Sequence, residues 1–445
     1  MSRRVVITCW GSYGDIYPYV GLAVALKALG HQVLVAAPAY YRPTVEQEEI
    51  EFAAVGPDVD PGDRTTIARI MHPVSGTETI LRDLLMPAMR QTDEELRRAC
   101  SGADLLVNHP ITFAGPIVAE TLGLPWVSTL LAPLSFFSTT DLPVFPPAPR
   151  LVHLRRLGPW FGRMFVRLAH RATRAWMAPV HELRRERGLP PGLHPLFEGQ
   201  FSPAMTLALF SRVLATPQPD WPPNVRMTGF VFYNGRGQLD PALDSFLAAG
   251  PAPVVFTLGT SAVGAAGTFY EESVKAIGTL GLRAVLLTGG FAENRPTGRL
   301  PPGVLLVDRA PHHLLFPHAS AVVHQGGIGT TAQALRAAKP MLVVPHGHDQ
   351  PDNAFRVTNL GVARTVFPRQ YNAPRVAREL GRLLDAGRYR ERSAAVASVV
   401  REEGGADAAA SAIDLMLDGE RRDGEPAAGS SPAQPPGGRR PHRGP

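Results

Sequence analysis

The chain opens on an apolar run, Arg4 to Thr8, then a glycine-containing loop, Gly11 to Tyr17, then Leu22, Leu26 and Leu29 at i, i+4 and i+7. The run predicts a buried strand and the spacing predicts a helix, which Pro18 opens at its first position and Gly30 stops. Gln32 to Ala37 predicts a second buried strand, so the three elements form a right-handed βαβ unit. Asp104 to Val107 and Pro125 to Leu130 continue the series. A second series begins with Pro253 to Leu258, a Gly/Ala-rich loop and a helix near Phe269 to Leu280. Strands follow at Arg283 to Leu287, Val304 to Val307, Ala321 to Val323 and Met341 to Val344, and helical patterns run from about Pro374 to Leu417. The pattern predicts an α/β protein of two doubly wound parallel-sheet domains facing each other across a cleft.

Between the two series, residues 216–237 are proline-rich and lack periodicity, which predicts an interdomain linker and a hinge. The expected domains are therefore 1–215 and 238–418, the second including the closing helices. Residues 419–445 hold six Gly and six Pro without an apolar period, which predicts a disordered tail. A chain of 445 residues accords with two domains, and 44% hydrophobic against 19% charged residues accords with globular cores.

Met-Ser-Arg-Arg leads directly into the first strand without a signal-peptide pattern, and no run reaches the roughly 18 apolar residues of a membrane helix, so a cytoplasmic protein is expected. Cys9 and Cys100 suggest neither a disulfide framework nor a metal site. The net charge of +6 is nearly all arginine, and no nucleic-acid-binding signature accompanies it, so no nucleic-acid partner is expected.

The segment Arg150 to Arg187 concentrates ten arginines against Glu182 and Glu186. At 100° per residue, Phe161, Met164, Phe165, Leu168 and Ala172 share one helix face and Arg163, Arg167, Arg171 and Arg174 the other. The plain reading is a core face opposite a solvated face; the other is peripheral contact with an anionic membrane surface or an acidic acceptor.

Phosphate chemistry concentrates in HQGGIGTTAQALRAAKP, His324 to Pro340, where glycines join a buried strand to a helix. Gly326, Gly327 and Gly329 permit close backbone approach. With Thr330 at the helix start, free N–H groups and the positive dipole end suit a pyrophosphate. His324 can add a hydrogen bond or, protonated, a charge. Thr260 and Ser261 follow the second domain's first strand and reach the same sheet edge. Asp349 and Gln350 offer a carboxylate and an amide for vicinal sugar hydroxyls, or alternatively cap the helix from Pro351.

HQGGIGTTAQALRAAKPMLVVPHGHDQPDN resembles the donor-binding signature of inverting nucleotide-sugar glycosyltransferases. It is most similar to the bacterial branch that includes antibiotic, sterol and rhamnolipid glycosyltransferases. GSYGDIYPYVGLAVALKALGH resembles that branch's opening loop and helix, and the likeness spans roughly residues 3 to 415. It implies the GT-B architecture of two Rossmann-like domains, the donor in the second and a small lipophilic acceptor in the first, where Leu130 to Pro147 is apolar and aromatic. Arg309 and Ala310 occupy the place of the family's Trp-Ala, where the base packs. Ala332 and Gln333 fall where plant members carry a ribose-binding glutamate.

The resemblance further implies transfer of a sugar from UDP or dTDP to an acceptor hydroxyl with inversion, the nucleotide sugar being a co-substrate and no cofactor or metal being required. Asp15, where the bacterial antibiotic enzymes carry an aspartate, is then the general base, and His109 is a second cleft candidate that could instead serve only as a turn histidine. The lesser reading of Asp15 is a helix-start carboxylate complementing the dipole. Its charge, and the lack of GxGxxG, weigh against a dinucleotide site in the first loop. Asp58-Val59-Asp60 matches the metal-holding DxD pattern but lies away from the donor loop. A non-catalytic nucleotide-sugar binder, and an epimerase or hydrolase on the same architecture, are the competing readings.

Overall fold

The computed structural model describes residues 2–60, 62–146 and 149–424. Seven strands, β1 (Arg4–Thr8), β2 (Gln32–Ala37), β3 (Glu51–Ala54), β4 (Leu105–Asn108), β5 (Trp126–Leu130), β6 (Met205–Ala208) and β7 (Val225–Met227), form one sheet in the order β3-β2-β1-β4-β5-β6-β7. Six more, β8 (Val254–Thr257), β9 (Ala284–Leu287), β10 (Val304–Val307), β11 (Ala321–His324), β12 (Met341–Val343) and β13 (Ala363–Thr365), form a second in the order β10-β9-β8-β11-β12-β13. All pairings are parallel. Helices cover both faces of such sheets, which is why the central strands are buried along almost their whole length and carry short apolar runs. Strand order reverses at β1/β4 and at β8/β11, and the loops leaving the carboxyl ends of those strands diverge around a crevice. Gly11 and His109 border the first crevice, Gly259 and His324 the second.

The first helix, Tyr13–Ala28, begins five residues before Pro18, the start expected from sequence. Ser12 is the N-cap: its hydroxyl accepts from Gly14 N at 3.3 Å while the Asp15 carboxylate accepts from Ser12 N at 2.8 Å, a reciprocal capping box. Pro18 lies inside the helix, where it removes the bond to the Gly14 carbonyl.

Residues 216–237 are more than a linker. β7 extends the first sheet, and Trp221 stacks on Phe136 at 3.7 Å with the rings 7° apart, so aromatic burial fixes a stretch whose prolines suggested irregularity. The helix Gly405–Gly424 does not close the second domain. Its Ala409, Ile413 and Leu417 join the core that holds Leu22 and Leu26, and Gly405 N donates to Thr228 O at 2.7 Å. It also runs past Gly419, where the tail was expected to begin; Glu420, Arg421 and Arg422 are good helix formers. The rest of that expected tail, residues 425–445, lies outside the described residues.

One connection was not foreseen. Between β3 and β4 the helix Arg64–Ile70 and the turn after it reach across to the second domain, where Met71 is buried in that domain's core beside Ile67 and Ile70. Arg64 pairs with Glu293 at 2.7 Å, and Thr77 Oγ1 meets His348 Nδ1 at 3.3 Å.

The arginine-rich segment divides into a 3₁₀ stretch and the helices Pro159–Thr173 and Ala178–Glu186. The expected apolar face is only partly buried. Phe161 is covered and Phe165 packs on Phe145 at 4.6 Å, but Met164 and Leu168 point outward, 51% and 64% exposed. The neighbouring loop sets that strip, because Gly162 sits so close to the Thr139 carbonyl that only the side of the helix centred on Gly162 can face inward.

Candidate active site

The two crevices meet. Gly329, in the first turn of the Ile328–Arg336 helix, lies against Gly14 in the first turn of the Tyr13–Ala28 helix: a Cβ on Gly329 would come within 3.5 Å of Gly14 Cα. Two helix N-termini, one from each domain, therefore converge and make a field suited to an anion.

Asp15 stands beside this junction. Its Oδ2 accepts from both Ser12 N (2.8 Å) and Ser12 Oγ (3.0 Å), while Oδ1 has no partner among the described residues. Gly11 makes the arrangement sterically accessible: it has φ +138°, and a Cβ there would fall 2.5 Å from Asp15 Oδ2. Burial raises the Asp15 pKa above the ordinary carboxylate range, and the Ser12 hydrogen bonds oppose that rise. Asp15 is thus a helix-start carboxylate and also a carboxylate with one oxygen left free at the cleft. His109 sits differently. It is buried, edge-on to Tyr19 at 5.6 Å, its Nδ1 faces Ile111 N at 3.4 Å, and burial lowers its pKa to about 3. No hydrogen bond or ion pair joins it to Asp15.

In the second domain His324 ends β11 fully buried, and its Nδ1 accepts from Gly326 N at 3.1 Å. The ring proton consequently resides on Nε2, which has no partner among the described residues. Burial lowers its pKa to about 3, so His324 can donate a hydrogen bond but does not carry the charge allowed for from sequence. Gly326 has φ +90° and no room for a Cβ, which would meet Val343 Cγ1 at 2.8 Å. Gly327 is the N-cap, leaving the following amides without a capping side chain, and Thr330 is buried in the first turn. Thr260 and Ser261 lie on a single helical turn, Gly259–Ala262, at the end of β8. Gln325 connects the two loops, its Nε2 occupying the space a Cβ on Gly259 would need and lying 2.8 Å from the corresponding point on Gly327. Gln325 was overlooked in the sequence although it lies within the motif itself.

Asp349 occupies the N-cap position of the helix Gln350–Asn359 but makes no capping bond. Its Oδ2 instead accepts from Asn353 Nδ2 at 2.6 Å, and the same amide reaches Gly326 O at 2.9 Å, which ties the carboxylate to the glycine loop. Gln350 is less available than expected, since its Oε1 accepts from His346 N (2.9 Å) and Gly347 N (3.3 Å). Arg309 is exposed, close enough to Tyr17 and Tyr40 for its charge to lower their pKa against the larger effect of burial; Ala310 packs on the core. Asp58 and Asp60 hold the backbone amides of Tyr40 (3.2 Å) and Gly62 (2.7 Å), and no cluster of three His, Cys, Asp or Glu side chains able to hold a metal occurs among the described residues.

Burial, aided by the charge of Asp15, raises Asp349 to about 7. The folded protein keeps this proton up to that pH while the unfolded chain releases it near 3.8, so folding takes up a proton and stability falls as pH rises through the window. Asp349→Asn removes the penalty and keeps an acceptor for Asn353. Its thermal midpoint should exceed that of the parent at pH 8 and match it at about pH 4. Equal midpoints at pH 8 would contradict the assignment.

Facing parallel-sheet domains, with a helix terminus suited to an anion on one side and a carboxylate with an unpartnered oxygen on the other, have the arrangement a two-domain group transferase requires. Residues 5–134 match the glycosyltransferase family 28 N-terminal domain, and residues 284–411 match the erythromycin biosynthesis protein CIII-like C-terminal domain. The chain is 35% identical to the O-mycaminosyltylonolide 6-deoxyallosyltransferase of Streptomyces fradiae, over 82% of this chain and 86% of that protein. It is 28% identical to the sterol 3-beta-glucosyltransferase of Neurospora crassa, over 94% of this chain but only 28% of that much longer one. The fold matches the glycosyltransferase VinC in complex with dTDP, with a TM-score of 0.65 at 22% identity, covering 93% of this chain and 99% of that one. The chain belongs to the GT-B glycosyltransferase family that contains the antibiotic and sterol glycosyltransferases.

Proposed function

We propose that this glycosyltransferase moves a deoxysugar from a dTDP-sugar to a hydroxyl of a small lipophilic acceptor, with inversion and without a metal ion. The observation that carries the reading is the free Asp15 Oδ1 beside the junction of the two helix N-termini. Asp15 takes the proton of the acceptor hydroxyl as its oxygen attacks the anomeric carbon from the face opposite the diphosphate. The bond from that carbon to the phosphate oxygen breaks, and dTDP departs with the electron pair. Attack from the opposite face inverts the centre. The amides of the Gly327–Thr330 turn, the Nε2–H of His324 and the Thr260 and Ser261 hydroxyls stabilise the charge that develops on the diphosphate, as fixed dipoles requiring little reorganisation. Asp349 and the remaining amide of Gln350 hold sugar hydroxyls, and Arg309 with Ala310 borders the base.

The Streptomyces relative's name specifies a 6-deoxysugar, and the VinC complex holds dTDP, which together favour dTDP over UDP. The apolar, aromatic segment 130–146 supports a lipophilic acceptor in the first domain.

The direct test is thermal unfolding in excess EDTA with dTDP, UDP, GDP or NAD. A ligand that binds only the folded state at a hundred times its dissociation constant adds about 2.7 kcal/mol, so dTDP should raise the midpoint by several degrees and UDP by less. A shift with NAD alone, or a shift with dTDP only when a divalent cation is restored, defeats the proposal.

A further inference from the structure

The helix Pro159–Thr173 presents an outer face that the described residues do not cover. Trp160, Met164 and Leu168, at i, i+4 and i+8, form an apolar ridge about 12 Å long, 55%, 51% and 64% exposed. Beside it, Arg163, Arg167, Arg171 and Arg174 form a cationic ridge. Leu154 and Leu157, on the preceding 3₁₀ stretch, are also exposed. The inner face is well held by Phe161, by Phe165 against Phe145 and by Gly162 against Thr139. The outer side chains are thus presented on a fixed support.

Charge pairing separates this helix from its neighbour. In the next helix and just beyond it, Arg184 pairs with Glu120 at 2.8 Å and Arg187 with Asp93. Arg163, Arg167, Arg171 and Arg174 pair with no carboxylate among the described residues, and no acidic residue occurs between Asp141 and Glu182. Unpaired arginines alternating with a tryptophan, a methionine and a leucine make a surface that is at once cationic and apolar.

We infer that this face docks on an anionic lipid surface, with the cleft held at the bilayer. Headgroup phosphates match the planar guanidinium donors, Trp160 suits the interfacial layer, and Met164 and Leu168 reach the acyl boundary. A polyanion without an apolar phase would leave the hydrophobic ridge in water. A second copy docking face to face would set arginine against arginine. Phe165 and Gly162 rest on the loop of Thr139 and Phe145; on the function proposed above, in which this segment faces the acceptor, docking brings that side close to the phase in which a lipophilic acceptor concentrates.

The test is sedimentation of the full-length protein with phosphatidylcholine vesicles and with phosphatidylcholine vesicles containing phosphatidylglycerol. Binding to the anionic vesicles alone is expected, weakened by raised salt. The triple variant Arg163→Gln, Arg167→Gln, Arg171→Gln should lower the partition coefficient on the order of a hundredfold. Trp160→Ala with Leu168→Ser should lower it by at least tenfold. Both sets alter exposed positions, so their thermal midpoints should equal that of the parent. The inference is overturned by absence of binding to anionic vesicles, by equal binding to both compositions, by binding that neither variant weakens, or by self-association of the parent that these substitutions abolish.

Discussion

Asp15→Asn lowers the turnover number by about 10²–10⁴-fold and leaves the dTDP-induced rise in thermal midpoint unchanged. Asparagine preserves the shape, and its carbonyl oxygen still accepts from Ser12 N, so the capping box and the start of the helix persist. Only the capacity to take a proton is lost. Burial places the Asp15 pKa above the ordinary carboxylate range, so the acid limb of the parent's kcat/KM profile lies above that range and the rate falls as pH drops through it. Single-turnover transfer at several pH values, with nucleotide affinity measured alongside, separates chemistry from binding. Full transfer by the Asn variant would remove Asp15 as the base, and loss of nucleotide affinity would make it a structural cap. His109 is a poor substitute, because burial holds its pKa at about 3 and its conjugate base is correspondingly weak.

Both sheets were legible because their central strands carry apolar runs. Val5–Ile7, Val254–Phe256 and Ala321–Val323 are buried along their length, and the predicted strands Arg4 to Thr8, Gln32 to Ala37 and Val304 to Val307 coincide with β1, β2 and β10. Of the four edge strands, β10 is legible because Val304–Val307 is wholly apolar, whereas β3, β7 and β13 carry weaker signals: Glu51, Arg226 and Arg364 interrupt segments of three or four residues. β6 did leave a signal, the run Met205–Phe210, which lies close to the proline-rich stretch that drew the boundary. The helix Gly405–Gly424 was legible as a helix, but its position was not, since an apolar period reports that a face is covered and not which domain covers it.

The site divides in the same way. Gly326, Gly327, His324 and Asp15 were legible because each sits next to a strand end in a pattern with local geometric consequences. Gln325 acts through a contact between loops, and the Arg64–Ile70 crossing depends on a partner more than 190 residues away; no local period encodes such contacts. The state of His324 also required the fold. Sequence allows a neutral or a charged ring, and only burial with the Gly326 contact selects the neutral donor.

Arg356→Met should destabilise the protein by about 3–5 kcal/mol at neutral pH, the cost typical of breaking a buried ion pair from one side. Arg356 Nε pairs with Asp352 at 2.7 Å within the second domain. Its Nη1 reaches across to Asp141 at 2.7 Å and to Leu214 O at 3.1 Å. Asp352 is fully buried, and its other oxygen accepts from Val144 N at 2.9 Å, a second bond between domains. Methionine fills much of the volume and leaves two carboxylates facing a site without a cation. Asp352 already has its pKa raised by burial, with Arg356 opposing the rise; removing the arginine raises it further. The variant then binds a proton on folding, and its deficit should shrink as pH falls toward the ordinary carboxylate range. Urea denaturation at pH 5 and pH 8 measures both effects, the larger loss falling at pH 8. A loss below about 1 kcal/mol at pH 8 would mean that the pair adds little to domain closure, as exposed pairs do. A loss that grew in acid would reverse the sign required by an unpaired buried carboxylate.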